Sequence, residues 1–95
     1  MVVRIDALVI DDHILEKIET KHNVDFNELE EVCYSDAKHV RKTKEGLYKI
    51  FGQTLSGRYL LVVLINLGNC IWKVVTARDL TDGERRLYII ARGGK

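Results

Sequence analysis

The sequence predicts one α+β domain in the order β-α-α-β-β-β-α, with helices packed on an antiparallel sheet. Three observations predict it. The chain has 95 residues, enough for one compact domain spanning 1–95 and too few for two. Up to Asp36 the apolar residues recur mainly at helical spacing; beyond it they alternate in short β-branched runs broken by glycine turns. Helix-start signals at Asp25 and Thr81 bracket those runs. A composition of 46% hydrophobic and 31% charged residues is that of a folded globular chain, which excludes intrinsic disorder.

Each element follows from local chemistry. Residues 2–10 (VVRIDALVI) are β-branched and partly alternating, which predicts a first strand. Asp11 and Asp12 offer an N-cap, and Ile14, Leu15 and Ile18 follow at helical spacing up to His22-Asn23. A second helix opens with the capping box Asp25-Phe26-Asn27-Glu28, flanked by Val24 and Leu29 as a hydrophobic staple. Its apolar face is Phe26, Leu29, Val32 and Cys33, and Glu28, Glu30 and Glu31 cover the other side.

From Lys38 to Thr43 the residues suit a strand, and Glu45-Gly46 turns the chain into a second one over 47–54. After Ser56-Gly57, the run from Arg58 to Asn66 is the most apolar and is expected at the centre of the sheet. Gly68-Asn69 leads to the last strand, 70–77. Strict alternation there places Cys70, Trp72, Val74 and Thr76 on one face, and Ile71, Lys73, Val75 and Ala77 on the other. Thr81 and Glu84 form a second capping box, and Leu87, Ile90 and Ala91 are expected on the apolar side of the final helix. Residues 92–95 read as a loose tail.

Several function classes drop out. The longest apolar run, Tyr59 to Ile65, is far short of the ~20 residues of a membrane-spanning helix. No basic N-terminal region with a cleavage site suggests secretion, so a cytoplasmic protein is expected. Cys33 and Cys70 have neither metal-ligand nor redox spacing, and His13, His22 and His39 are scattered. No metal or other cofactor is therefore expected, and no phosphate-cradling loop is present.

The net charge of +1 conceals an asymmetry. Residues 1–37 hold ten acids against three bases, and residues 38–95 hold twelve Lys and Arg against four acids. A polyanion would find its partner in the second half. Arg58 begins the central strand and Arg78 ends the last one, so hairpin geometry places both at one end of the sheet. Two guanidiniums beside a helix N-terminus, with Arg85 as a further cation, would suit a phosphate. Alternatively Arg78 pairs with Asp79 or Glu84 at the surface. Lys38, His39, Arg41, Lys42, Lys44 and Lys49 either track a nucleic-acid backbone or protect a sheet edge. Tyr88 reads as a core-edge anchor.

Three segments carry a family resemblance. Lys21-His22-Asn23-Val24-Asp25-Phe26 with Glu28-Leu29-Glu30-Glu31-Val32 resembles the KHGVsfeEaeeVf stretch of the BrnT toxins. Gly52-Gln53-Thr54 leads into Gly57-Arg58-Tyr59-Leu60-Leu61-Val62-Val63. Finally, residues 75–88 (VTARDLTDGERRLY) are similar to the family's IISAR…T…ER…Y signature. The match spans roughly residues 10–90. It implies a RelE-like fold, a ribonuclease of a type II toxin–antitoxin pair that inhibits translation, RNA as substrate, free or associated with the ribosome, and a BrnA-like ribbon-helix-helix antitoxin as partner. It also implies metal-independent cleavage, in which Arg58, Arg78 and Arg85 stabilise the phosphate beside the Thr76 hydroxyl. Lys21, His22, Glu84 or Tyr88 would handle protons. The sequence departs from the family in three places. Ile14 stands where a lysine is usual, Thr76 replaces serine, and Asn23 replaces a glycine. A catalytically inactive RelE-like module that binds an antitoxin or nucleic acid is the alternative.

Overall fold

The computed structural model of the chain describes residues 3–93 and builds them around one five-stranded sheet. The elements are β1 (Ala7–Val9), α1 (Asp12–His22), α2 (Phe26–Tyr34), β2 (His39–Lys42), β3 (Tyr48–Gln53), β4 (Tyr59–Gly68), β5 (Ile71–Asp79) and α3 (Asp82–Ala91). Spatial order is β1-β5-β4-β3-β2, so the most apolar strand is central as expected. Strands β2 to β5 form the antiparallel meander. β1 joins β5 in parallel, which makes the whole sheet mixed.

The first strand is much shorter than the nine residues expected, because the chain before it runs past the sheet without entering the ladder. There Arg4 offers its carbonyl to the indole Nε1–H of Trp72 at 2.9 Å. Val2 of the expected strand and Gly94-Lys95 of the expected tail lie outside the described residues.

Both N-terminal helices cover the same face of the sheet. α1 lies along β5, and α2 lies across β3 and β4. Ile18, Val24, Leu29, Val32 and Cys33 meet Ile50, Leu60, Val62, Leu64, Trp72, Val74 and Ala77 in one buried core. Each such aliphatic side chain contributes roughly 1.5–3 kcal/mol through burial. The Asp25 capping box forms as read, with Glu28 N–H donating to the Asp25 carboxylate at 2.9 Å. Asn23 ends α1 at φ 54°, the left-handed conformation that asparagine tolerates. Asp11 does not cap α1 with its side chain; its carboxylate reaches Lys73 at 2.9 Å instead. Gly52 lets α2 approach the sheet, since a Cβ there would meet Val32 Cγ1 at 2.9 Å.

Two expectations fail on the other face. Val63 pairs with Thr76 and Leu64 with Val74, which leaves Val75 as a bulge between them. The bulge inverts the alternation beyond it. Trp72 and Val74 are buried as expected, but Ala77 is then buried and Thr76 exposed, the reverse of the reading from strict alternation. In α3 the expected apolar side is outside: Leu87 and Ile90 are 63% and 69% exposed. The helix instead rests on the sheet through Tyr88, which is 2% exposed and donates its hydroxyl to the Ala37 carbonyl at 3.0 Å. The reading of Tyr88 as an anchor agrees with this position.

Candidate functional site

Arg58 and Arg78 sit at one end of the sheet, as hairpin geometry required, but on opposite faces. Arg78 lies across from Leu61 and Asp79 across from Leu60, and successive strand residues point to opposite sides. Arg58 joins Asp79 on the helix-covered side. Its Nε and Nη2 donate to the two Asp79 carboxylate oxygens at 2.7 and 3.1 Å. Its remaining donors reach the carbonyls of His22 and Asn23, and Glu28 lies at 3.4 Å. A cation is well placed at this C-terminus of α1. The hydrogen bond from Arg58 holds the Asp79 carboxyl below its ordinary range.

Arg78 is engaged on the other side. Its Nη1 and Nη2 donate to both oxygens of Glu84 at 2.7 and 3.0 Å, the surface pairing weighed as the alternative. Glu84 is also the capping-box residue of α3 and accepts the Thr81 N–H at 2.9 Å. The Arg78 hydrogen bonds, assisted by Thr81, push the Glu84 carboxyl down to about 2. The shared phosphate site expected of Arg58 and Arg78 is therefore not formed: the two guanidiniums are separated by the sheet, and each is matched by its own carboxylate.

The face away from α1 and α2 is cationic. Period-two placement puts His39, Arg41, Lys49 and Phe51 together there, with His39 opposite Phe51 and Arg41 opposite Lys49. These four residues, with Glu84 and Leu87, line a cleft of about 440 Å³ between the β2–β3 hairpin and α3. Arg85 stacks over the Tyr59 ring at 5.4 Å, and Tyr59 meets Tyr88 edge-on at 6.1 Å. Lys42 also borders the cleft, with its ammonium 5.6 Å from the Tyr48 ring. From the sequence, Arg41 and Lys49 were read as part of a basic hairpin that either tracks a nucleic-acid backbone or protects a sheet edge, and Phe51 was not singled out. The available signal was that the odd-numbered residues of both strands share a face opposite Val40 and Ile50.

The remaining candidates divide between two places. Glu84 and Tyr88 border the cleft, whereas Lys21, His22 and Thr76 line a smaller cavity of about 180 Å³ where α1 passes the edge of β5. The Tyr88 hydroxyl is committed to Ala37, and Glu84 is an ionised acceptor at neutral pH. Neither is a ready proton donor. Burial pushes the Cys33 thiol up to about 12, so it remains protonated within the core. Among the described residues no helix is long and apolar enough to cross a membrane.

Neither a protein-family model nor a curated protein matches the sequence. Among solved structures, the chain is similar to the crystal structure of the Brucella abortus ribonuclease toxin BrnT. The TM-score is 0.67 at 18% sequence identity, covering 80% of this chain and 97% of that one. The chain thus has the α+β fold of a BrnT ribonuclease toxin.

Proposed function

We propose that this protein is a ribonuclease toxin of the BrnT kind, which cleaves RNA in the cytoplasm without a metal ion and is held in check by a ribbon-helix-helix antitoxin. The observation that carries the reading is the likeness to a ribonuclease toxin along nearly the whole of that chain. The cationic face supports it. Among the residues lining the cleft Glu84 is the single carboxylate, and Arg78 already neutralises it. A phosphodiester on this face meets Arg41, Lys49, Arg78 and Arg85, whose charge favours the phosphorane over the ground state.

Cleavage needs a base for the 2′-hydroxyl and an acid for the leaving oxygen. With Tyr88 bound to a carbonyl and Glu84 held ionised, neither supplies the acid at the cleft, and Lys21 and His22 belong to the separate α1–β5 cavity, so they act only on RNA that also reaches that cavity. Arg58 then acts at a distance, by fixing the α1–α2 junction that carries His22. Translation stops in this scheme because messenger RNA is cut, on the ribosome or free of it.

The test is induced expression in a bacterium without the antitoxin. Growth and intact RNA should both fall, and purified protein should cut RNA in the presence of a chelator. Arg78→Ala should relieve toxicity, since losing one contact to developing charge costs ~100-fold in rate. Unimpaired growth, with RNA bound but never cut, would instead support the second reading: an inactive module that binds RNA or an antitoxin. The carboxylate pairing of both arginines and Ile14 in the family lysine position favour that reading.

A further inference from the structure

The face of the sheet turned away from α1 and α2 is covered at one end only. There α3 crosses it, with Glu84 on Arg78 and Tyr88 against Tyr59, and Leu61 is 3% exposed. Two rows further along the strands, Val9, Lys73 and Ile65 stand side by side on β1, β5 and β4. By alternation with the core residue Leu64, this row points to the open side. Val9 is 41% exposed, Ile65 38% and Leu67, just beyond, 54%. Lys73 interrupts them but is matched by Asp11 at 2.9 Å. Exposed aliphatic residues gathered in this way mark an interaction surface.

The bare strip has the dimensions of one helix. Val63 to Leu67 covers about 14 Å of β4 at ~3.4 Å per residue, against a helix diameter of about 10–12 Å. Five strands ~4.8 Å apart span about 19 Å, which about 13 helical residues cross at ~1.5 Å each. α3 supplies one wall, where Leu87 faces the cleft. At the β2–β3 end stand Arg41 and Lys49, with Lys42 and Lys44 beside them. None of these four cations has an ion pair among the described residues.

We propose that this strip, from Val9 across Ile65 to the wall at Leu87, is the docking surface for an amphipathic helix of a partner protein. The helix is apolar where it meets the strip and acidic where it passes Arg41 and Lys49, and it completes the layer that α3 begins. RNA fits the strip less well, because bases stack on aromatic rings and bond to polar groups, and Val9, Ile65 and Leu67 offer neither. A second copy fits less well too, since the carboxylates that reach this face, Asp11 and Glu84, already hold Lys73 and Arg78. Under the ribonuclease reading the helix belongs to the antitoxin and shuts RNA out by covering Arg41 and Lys49. That identity rests on the reading; the docking surface does not.

The probe is a capped synthetic helix of about 14 residues, with leucines along one face and glutamates on the rest. It should shift the amide resonances of Val9, Ile65 and Leu87 in the intact protein. Ile65→Ser and Leu87→Ser, both at exposed positions, should keep the wild-type unfolding midpoint and each weaken peptide binding about tenfold. The same peptide with lysine in place of glutamate should not bind. No binding, or binding that both serine variants leave unchanged, would overturn the strip as a docking surface. If Ile65→Ser weakened a short single-stranded 2′-O-methyl RNA as much as it weakened the peptide, the strip would belong to RNA and the proposal would fail. Sedimentation of the wild type as a dimer that Ile65→Ser returns to monomer would overturn it in favour of a second copy. If the peptide binds as expected but the protein cuts no RNA, the ribonuclease reading fails and the docking surface stands.

Discussion

The two faces of the sheet are built from the same strands and serve different ends. On one, Leu60, Val62 and Leu64 of β4 disappear beneath α1 and α2, whose outer surface is acidic. On the other, Leu61 and Val63 are also buried, yet the cover is a single helix resting on Tyr88 amid arginines and lysines. The covered face has the continuous packing that stabilises a fold. The open face is packed only enough to hold α3 in position, and its margins remain available to a polyanion. Continuous packing and exposed positive charge are thus separated by the thickness of one sheet.

The separation is most directly broken from the covered side. Leu64→Ala, at a site with no solvent exposure, should cost about 3 kcal/mol in denaturant unfolding. Arg58→Ala should follow at about 2 kcal/mol, because it strips hydrogen bonds from Asp79 and from the end of α1. Its signature would be lost stability together with local loosening around His22, seen as faster amide exchange at 20–24.

On the open side the effects should be smaller. Glu84 is ionised in the folded state down to about pH 2, below its unfolded range. Its contribution is therefore present at neutral pH and lost as the pH falls from about 4.5 towards 2. After discounting for the partial exposure of Arg78, this amounts to about 1 kcal/mol, and Glu84→Gln should flatten the acid limb of the stability profile accordingly. Tyr88→Phe removes one hydrogen bond to Ala37 and should cost about 1 kcal/mol. The loss should register chiefly as exchange of α3 amides, with little change in the strands. If Tyr88→Phe and Leu64→Ala destabilised the core equally, the division between the faces would be false.

Much of this arrangement was legible in the chain. The capping boxes at Asp25 and Thr81, the central position of β4 and the anchoring role of Tyr88 depend on local spacing, which a sequence displays directly. The parallel pairing of β1 with β5 depends on partners more than sixty residues apart and leaves no local trace. The bulge at Val75 was equally hidden. Strict alternation gave Thr76 to the wrong side and concealed that Arg78 and Arg58 face away from each other. At the candidate site, hairpin geometry placed the two arginines at the correct end of the sheet. It could not reveal that Asp79 and Glu84 divide them. The cleft residues Arg41, Lys49 and Phe51 were visible only as a basic hairpin, because their common face emerges once the register with β4 is fixed.

The parallel β1–β5 edge also bears on when the molecule can work. Ala7 pairs with Ile71, and Ala37 receives its hydrogen bond from Tyr88, so the first strand waits for β5 and the connector before β2 waits for α3. Contacts of such long sequence separation form late and slowly. A nascent chain can assemble the two helices and the first hairpin early, whereas β5 and α3 follow them in the chain. The bulge and the α3 wall of the cleft lie on those two elements. Whatever site these elements complete is therefore assembled only once β5 and α3 have joined the earlier part of the fold.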